Sequence, residues 1–322
     1  MKMLFRVIGL MLALVFAGGE AMAQSYPNKP IRWIIGFGAG GGNDILARAI
    51  APKVSEQLGQ QVIIENKTGA EGRIAAEFVA KSAPDGYTIM SGASGQMVYN
   101  VGLFVNVPYD PIKSFAPITV LGYTQLVFAA NPSVAAKTLK EFIALAKSKP
   151  GAMFYASPSS PHYVAFELFK KQAGVDLRNV PYKGDSQAAM AAISGEVSVA
   201  STGLGNALPQ LKAGKIRALA VTGATRSQFA PDIPTVKESG IDFEGVSWTG
   251  LFAPAATPQP ILDKLYAAFS TVLKDPAMKE RIMNTGYETT WNGMPPAEFA
   301  AFHKADLAKW TKVIKDIGIK PQ

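Results

Sequence analysis

No cysteine occurs in the 322 residues. That absence excludes thiolate zinc sites, iron–sulfur clusters, a cysteine nucleophile, disulfides and a lipid-modified N-terminal cysteine. Histidine is almost as scarce: only His162 and His303 are present, far apart and without a carboxylate or second imidazole at ligand spacing, so no metal centre and no cofactor is expected. The chain also lacks blocks of one charge. Its formal charge is +8, yet the longest basic run is Lys170-Lys171, which suits attraction to small anions and gives no footprint for nucleic acid. What is present is apolar material, 48% of residues, enough for genuine cores in about two domains.

The one unbroken apolar stretch near the start is too short to span a bilayer. Lys2 and Arg6 precede eleven apolar or small residues, Val7 to Ala17, and Ala21-Met22-Ala23 supplies a small-x-small cleavage pattern. A membrane helix needs about 20 apolar residues, so 1–23 reads as a secretory signal peptide cut after Ala23. The mature chain is expected to be exported, periplasmic and monomeric.

Downstream, β-branched strands alternate with helical patterns. Ile31–Ile35 and Gln61–Glu65 read as strands, Asp44–Leu58 and Ile74–Ser82 as helices, and Tyr87–Met90 as a third strand, an alternation that implies parallel β-α-β units. Pro52 is expected to kink or break the first helix. The same logic repeats: strands at Leu126–Ala129, Met153–Tyr155, Leu177–Val180, Val197–Ala200 and Ile216–Val221, with helices at Thr138–Lys147, Tyr163–Ala173 and Gln187–Ser194. Three proline-opened helices follow Pro254. Two α/β lobes result, the C-terminal helices returning to one of them. The apolar segments Leu121–Leu126 and Val246–Leu251 serve as crossing strands. The expected division is 24–124 with 248–322 as one domain and 125–247 as the other.

Five glycines lie between Gly36 and Gly42, joining a buried strand to a helix start. There the first backbone N–H groups lack partners and the helix dipole favours negative charge, so the loop is a physical anion cradle. Gly36-x-Gly38-x-x-Gly41 also fits a dinucleotide fingerprint, with Glu65 where a ribose-binding acid would stand. A loop that merely turns the chain is the plain alternative.

Several motifs resemble those of one family in order along the chain. They are Tyr26-Pro27, Lys29-Pro30-Ile31-Arg32, the glycine loop ending in Asp44, Gly59-Gln60, Val62 to Lys67, Gly69-Ala70, Pro84-Asp85-Gly86-Tyr87-Thr88, Tyr109-Asp110-Pro111, Val180-Pro181-Tyr182-Lys183-Gly184, Ala213 to Val221, and Pro231 followed by Ile233-Pro234-Thr235-Val236, Glu238 and Gly240. Together they look like the Bug family, the extracytoplasmic solute-binding receptors of tripartite tricarboxylate transporters. The resemblance implies a two-lobed α/β fold like type II periplasmic binding proteins, with a ligand cleft between the lobes. It also implies an organic carboxylate held by backbone N–H groups and water, and membrane transporter subunits as partners. Two departures fall in the expected cleft: Gly36, Gly38 and Ala39 stand where prolines are common, and Ser157–Tyr163 replaces a glycine-rich stretch before a His-Leu pair.

In open α/β sheets ligands lie beyond the C-terminal ends of strands. The candidate residues are therefore Phe37, Gly38, Ala39, Gly40, Gly41, Asn43 and Asp44, then Ser91, Gly92, Ala93 and Ser94. From the second half come Ser157, Ser159, Ser160 and His162, then Tyr182, Lys183, Gly184, Asp185 and Ser186, and finally Ser201, Thr202 and Gly203. No arginine is among them. Asp44 is expected to be the helix N-cap, with contact to a water or a ligand donor as the alternative. His162 is expected just before a helix, donating to ligand or to backbone; Phe37 and Tyr182 line an apolar ligand part or belong to the core. Lys183 supplies charge or is a plain surface lysine. Ser159, Ser160 and His162 also leave open an exported hydrolase, although no Gly-x-Ser-x-Gly elbow occurs.

Overall fold

Strand β1 (Ile31–Ile35) is buried on both faces, as a central parallel strand must be. It pairs in parallel with β2 (Val62–Asn66) and β3 (Thr88–Ala93). The structure, a computed structural model, describes residues 26–322; the signal peptide expected at 1–23 lies outside them. Between these strands run helices α1 (Gly42–Leu58) and α2 (Arg73–Ala80), so the β-α-β reading of the first segment holds.

The long strand β4 (Phe115–Ala130) organises the sheet. Sixteen residues at about 3.3 Å each reach roughly 50 Å. Its first part pairs antiparallel with β9 (Val246–Pro254), and Leu126–Ala130 pair antiparallel with β7 (Val199–Gly203) and with β8 (Arg217–Val221). β9 in turn pairs with β3. β5 (Met153–Ser157) lies parallel to β6 (Leu177–Pro181) and to β7. Both expected crossing segments are thus strands, joining one strand set to the other in the order β2-β1-β3-β9-β4-β7-β5-β6.

Side-chain alternation then divides the core. Ile34 belongs to one cluster while Ile31, Trp33 and Ile35 belong to a second; Phe128 joins the first, and its neighbours Val127 and Ala129 form a third. That period of two is what a strand buried on both faces imposes. The second strand set carries α4 (Leu139–Ser148), α5 (Ser160–Ala173), α6 (Asp185–Ser194) and α7 (Leu204–Lys212), where α3 is the short Asn100–Leu103. The C-terminal helices α8 (Gln259–Lys274), α9 (Pro276–Met283) and α10 (Pro296–Ile317) return to the first set. There Phe269 meets Trp33 edge-on at 5.2 Å, and Phe299 meets Trp248 at 5.6 Å.

Several expectations change. Pro52 does not break α1, which runs unbroken to Leu58. The missing donor costs one bond of that helix, and Leu46, Ala47, Ile50, Ala51 and Val54 are buried around it in one cluster, so packing outweighs the loss. The helices containing His162 and Asp185 begin earlier than expected, at Ser160 and Asp185. Strands β3 and β7 run three residues further, taking in Ser91, Gly92, Ala93, Ser201, Thr202 and Gly203. A wide π-type turn at Gly95–Tyr99 was not expected at all.

Candidate ligand-binding site

The glycine loop divides by role. At Gly36 a Cβ would lie 2.4 Å from Nε2 of Gln96, so this glycine exists for a close approach. Gln96, fully buried in the π-turn, accepts from the Ala93 N–H at 3.0 Å and donates to the Gly72 carbonyl at 2.8 Å, tying three segments together. Gly38 and Gly40 have nothing within 4 Å of their would-be Cβ atoms. A side chain at either position would point into open space beside the start of α1. The first i→i−4 bond there is Ile45 N–H to Gly41 C=O, 2.9 Å, so the N–H groups of Gly42, Asn43 and Asp44 precede the helical ladder.

Asp44 is not the N-cap. Gly41 holds that position, with no side-chain cap. Asp44 lies within the first turn, buried, where Oδ2 accepts from Gly40 N–H and Arg48 Nε, both at 2.9 Å, and Oδ1 accepts from Asn66 Nδ2 at 3.0 Å. Asn66 also donates to the Phe37 carbonyl. Burial pushes the Asp44 carboxyl up, but Arg48, the Gly40 amide and Asn66 outweigh it and hold it below the usual carboxylate range. The Asp44-x-x-x-Arg48 spacing was the signal for this brace. Asn43 turns its Oδ1 to the Thr249 hydroxyl at 2.6 Å and to the Tyr287 hydroxyl at 3.4 Å; neither partner was among the sequence candidates.

The third-strand candidates are not loop groups. Ser91 is buried in β3 and its hydroxyl accepts from Trp33 Nε1 at 2.9 Å; a Cβ on Gly92 would lie 2.7 Å from the Phe252 ring. Ala93 and Ser94 are buried as well, Ser94 lying 3.4 Å from the Ser247 hydroxyl.

The second strand set brings its candidates together at the start of α5, α6 and α7. Ser157 ends β5 and its hydroxyl donates to Asn179 Oδ1 at 2.7 Å. Ser159 Oγ meets His162 Nδ1 at 2.8 Å, and Ser160 donates to Asn100 Oδ1 at 3.2 Å, which docks the start of α5 on α3. His162 sits in the first turn of α5, 4% exposed. Its Nε2 lies 3.3 Å from Asp185 Oδ1, too poorly aligned for a hydrogen bond, and has no other partner. Asp185 Oδ1 accepts from the Gly203 amide at 2.6 Å and the Thr202 hydroxyl at 2.8 Å. Burial raises the Asp185 carboxyl, but His162 and these two donors reverse that and hold it at about 2.

The remaining candidates lie at the edge. Tyr182 packs against the alanine-rich third cluster, its phenol pushed up to about 12 by burial and by Glu196. Gly184 (φ 139°) is the N-cap of α6; Lys183 and Ser186 are exposed, and the Lys183 amide donates to Gln187. Ser201 is fully buried with an unpartnered hydroxyl.

Sequence reasoning also missed the turn at Ala70-Glu71. Both residues adopt left-handed conformations (φ 48° and 53°), held by Asn100 Nδ2 to the Glu71 carbonyl at 3.0 Å and Gln96 to the Gly72 carbonyl. Burial raises the Glu71 carboxyl, while Arg73 and His162 pull it down. The dinucleotide reading loses its acid: Glu65 receives both Nε and a terminal nitrogen of Arg32, at 2.6 and 2.7 Å.

These features coincide with a family match. The family model of the tripartite tricarboxylate transporter receptors matches residues 46–319. The chain belongs to that family. BugT of Bordetella pertussis is 30% identical over 99% of both chains. Among solved structures, the R. palustris protein Rpa4515 with adipate shares 32% identity and a TM-score of 0.86, covering 92% of this chain and 100% of that one. MatC from Rhodopseudomonas palustris with bound malate shares 32% identity and a TM-score of 0.81, covering 90% of this chain and 100% of that one. The mixed α/β fold is that of the periplasmic binding proteins of this family, as the Bug resemblance implied. Among the described residues of this family member no helix is long and apolar enough to cross a membrane.

Proposed function

We propose that this chain is an exported, periplasmic solute-binding receptor that captures a small organic carboxylate in a cleft between two lobes and hands it to the membrane subunits of a tripartite tricarboxylate transporter. One lobe comprises 24–124 and 248–322, the other 125–247; β4 and β9 cross between them and act as the hinge. The observation that carries the reading is the glycine loop, whose Gly38 and Gly40 leave the first amides of α1 approachable by an anion. Such amides are preorganised donors and need no arginine. Arg48 and Arg73, the guanidinium groups of this region, are engaged by Asp44 and by the carbonyls of Ala70 and Asn106. That the neighbours Rpa4515 and MatC are described with adipate and malate supports the ligand class.

The test is a thermal-shift screen of aliphatic and aromatic carboxylates, since a ligand that binds only the folded state raises its melting temperature by mass action. A carboxylate hit whose methyl ester is inert supports the cradle; equal binding of acid and ester refutes it. Mass spectrometry of the exported chain should find a start at Gln24.

Ser159, His162 and Asp185 form a serine–imidazole–carboxylate row, which favours a second reading, an exported hydrolase. Pro161 in the first turn of α5 removes one amide donor beside Ser159, and the comparisons point to a family of receptors. Turnover of simple esters, abolished in Ser159→Ala, would establish that reading; stoichiometric binding without turnover is the outcome expected of a receptor.

A further inference from the structure

Asp185 presents a carboxylate to two hydrogen-bond donors and an imidazole edge, groups of the kind that a bound ligand carboxylate uses. Its Oδ1 accepts from the amide of Gly203, the N-cap of α7, and from the Thr202 hydroxyl, and it faces Nε2 of His162. A backbone amide at a helix start, a hydroxyl and an imidazole edge form an anion cradle without lysine or arginine. Here the chain fills that cradle itself. The other oxygen, Oδ2, accepts no hydrogen bond among the described residues, and 29% of the side chain stays accessible. Tyr287 connects this region to the glycine loop: its hydroxyl reaches Asn43, and the preceding Gly286 packs against Gly205 in the first turn of α7, where a Cβ on Gly205 would lie 2.4 Å from the Gly286 Cα. The start of α1 and the start of α7 therefore meet at one tyrosine and the glycine before it.

We propose that Asp185 occupies the second carboxylate subsite of this receptor and so selects ligands with one carboxylate, seated at the glycine loop, and a hydrogen-bond donor at the far end. This rests on the carboxylate-receptor reading. A dicarboxylate would bring its second anion against Oδ2 in a partly desolvated space whose donors are already taken, whereas a hydroxyl, amide or ammonium would donate to Oδ2. Asp185, the first residue of α6, is thus a specificity-determining residue.

Calorimetric titration of the purified protein against chain-matched pairs tests this: 4-hydroxybutyrate with succinate, and 6-hydroxyhexanoate with adipate, on the wild type, Asp185→Ala and Asp185→Asn. Asp185→Asn keeps an acceptor for Gly203 and Thr202, so it guards against loss of the fold, which thermal melts record. The expected result is at least tenfold preference for the hydroxy acid in the wild type, with that ratio falling at least tenfold in both variants. A ratio that the variants leave unchanged overturns the subsite assignment, whichever ligand the wild type prefers, and leaves the carboxylate reading standing. Failure of all three proteins to bind either series overturns both.

Discussion

The Asp185 carboxylate should make the stability of this protein depend on pH in a way one substitution can isolate. Its carboxyl falls from an ordinary 3.8 to about 2 in the folded chain, which corresponds to about 2 kcal/mol of stabilisation at neutral pH. Because the folded value is the lower one, this contribution is fully present above about pH 5 and disappears as pH falls through the folded value toward 2. Asp185→Asn removes the titration and keeps the shape. The variant should be less stable than the wild type by about 2 kcal/mol at pH 7, and the gap should close progressively below pH 4. Urea unfolding followed by fluorescence of the buried Trp33, Trp248 and Trp310 measures both proteins at each pH. The competing physics is desolvation, which can make a buried charge costlier than a neutral substitute. A gap that does not change between pH 5 and pH 2.5, or a variant more stable at pH 7, would refute the assignment of the carboxylate's partners.

Other outcomes follow from the backbone. Glu71→Gly should raise stability by about 1 kcal/mol in thermal melts, because a left-handed residue with a Cβ is strained and glycine is not. Gly36→Ala should destabilise by about 1–3 kcal/mol through its overlap with Gln96, whereas Gly38→Ala, whose Cβ meets nothing within 4 Å, should melt like the wild type. In calorimetric titration, Lys183→Ala should weaken carboxylate binding by no more than about 1.4 kcal/mol. Gly41→Val should weaken it more, since its Cβ would lie 3.0 Å from the Gly38 carbonyl beside the loop amides; the reverse order would refute the backbone cradle.

The order of elements was legible because local chemistry dictates it. Runs such as Ile31–Ile35 and Val62–Ile64 have no other use than a strand buried between helices, and prolines 258, 276 and 295 stand just before or at the first residue of the last three helices. The glycine loop at a strand end was readable for the same reason. Strand ends were less legible: Ser91-Gly92-Ala93 and Ser201-Thr202-Gly203 lack the run of bulky apolar residues that marks a buried strand. They are strand only because β9 and β4 lie beside them to complete the ladder.

By itself the sequence determined the alternating α/β architecture, the crossing segments, the glycine loop between a strand and a helix start, and the family. Tertiary structure decided what each polar group is free to do. Asp44, read as a cap, is committed to Gly40, Arg48 and Asn66; Glu65 is committed to Arg32; Gly36 yields its space to Gln96. The row of Ser159, His162, Asp185 and Gly203 draws on three separate strand ends. No local pattern encodes it, since hydrogen bonds between distant segments are set by which strands become neighbours in the sheet, and that is fixed only when β4 pairs with β7 and β7 with β5.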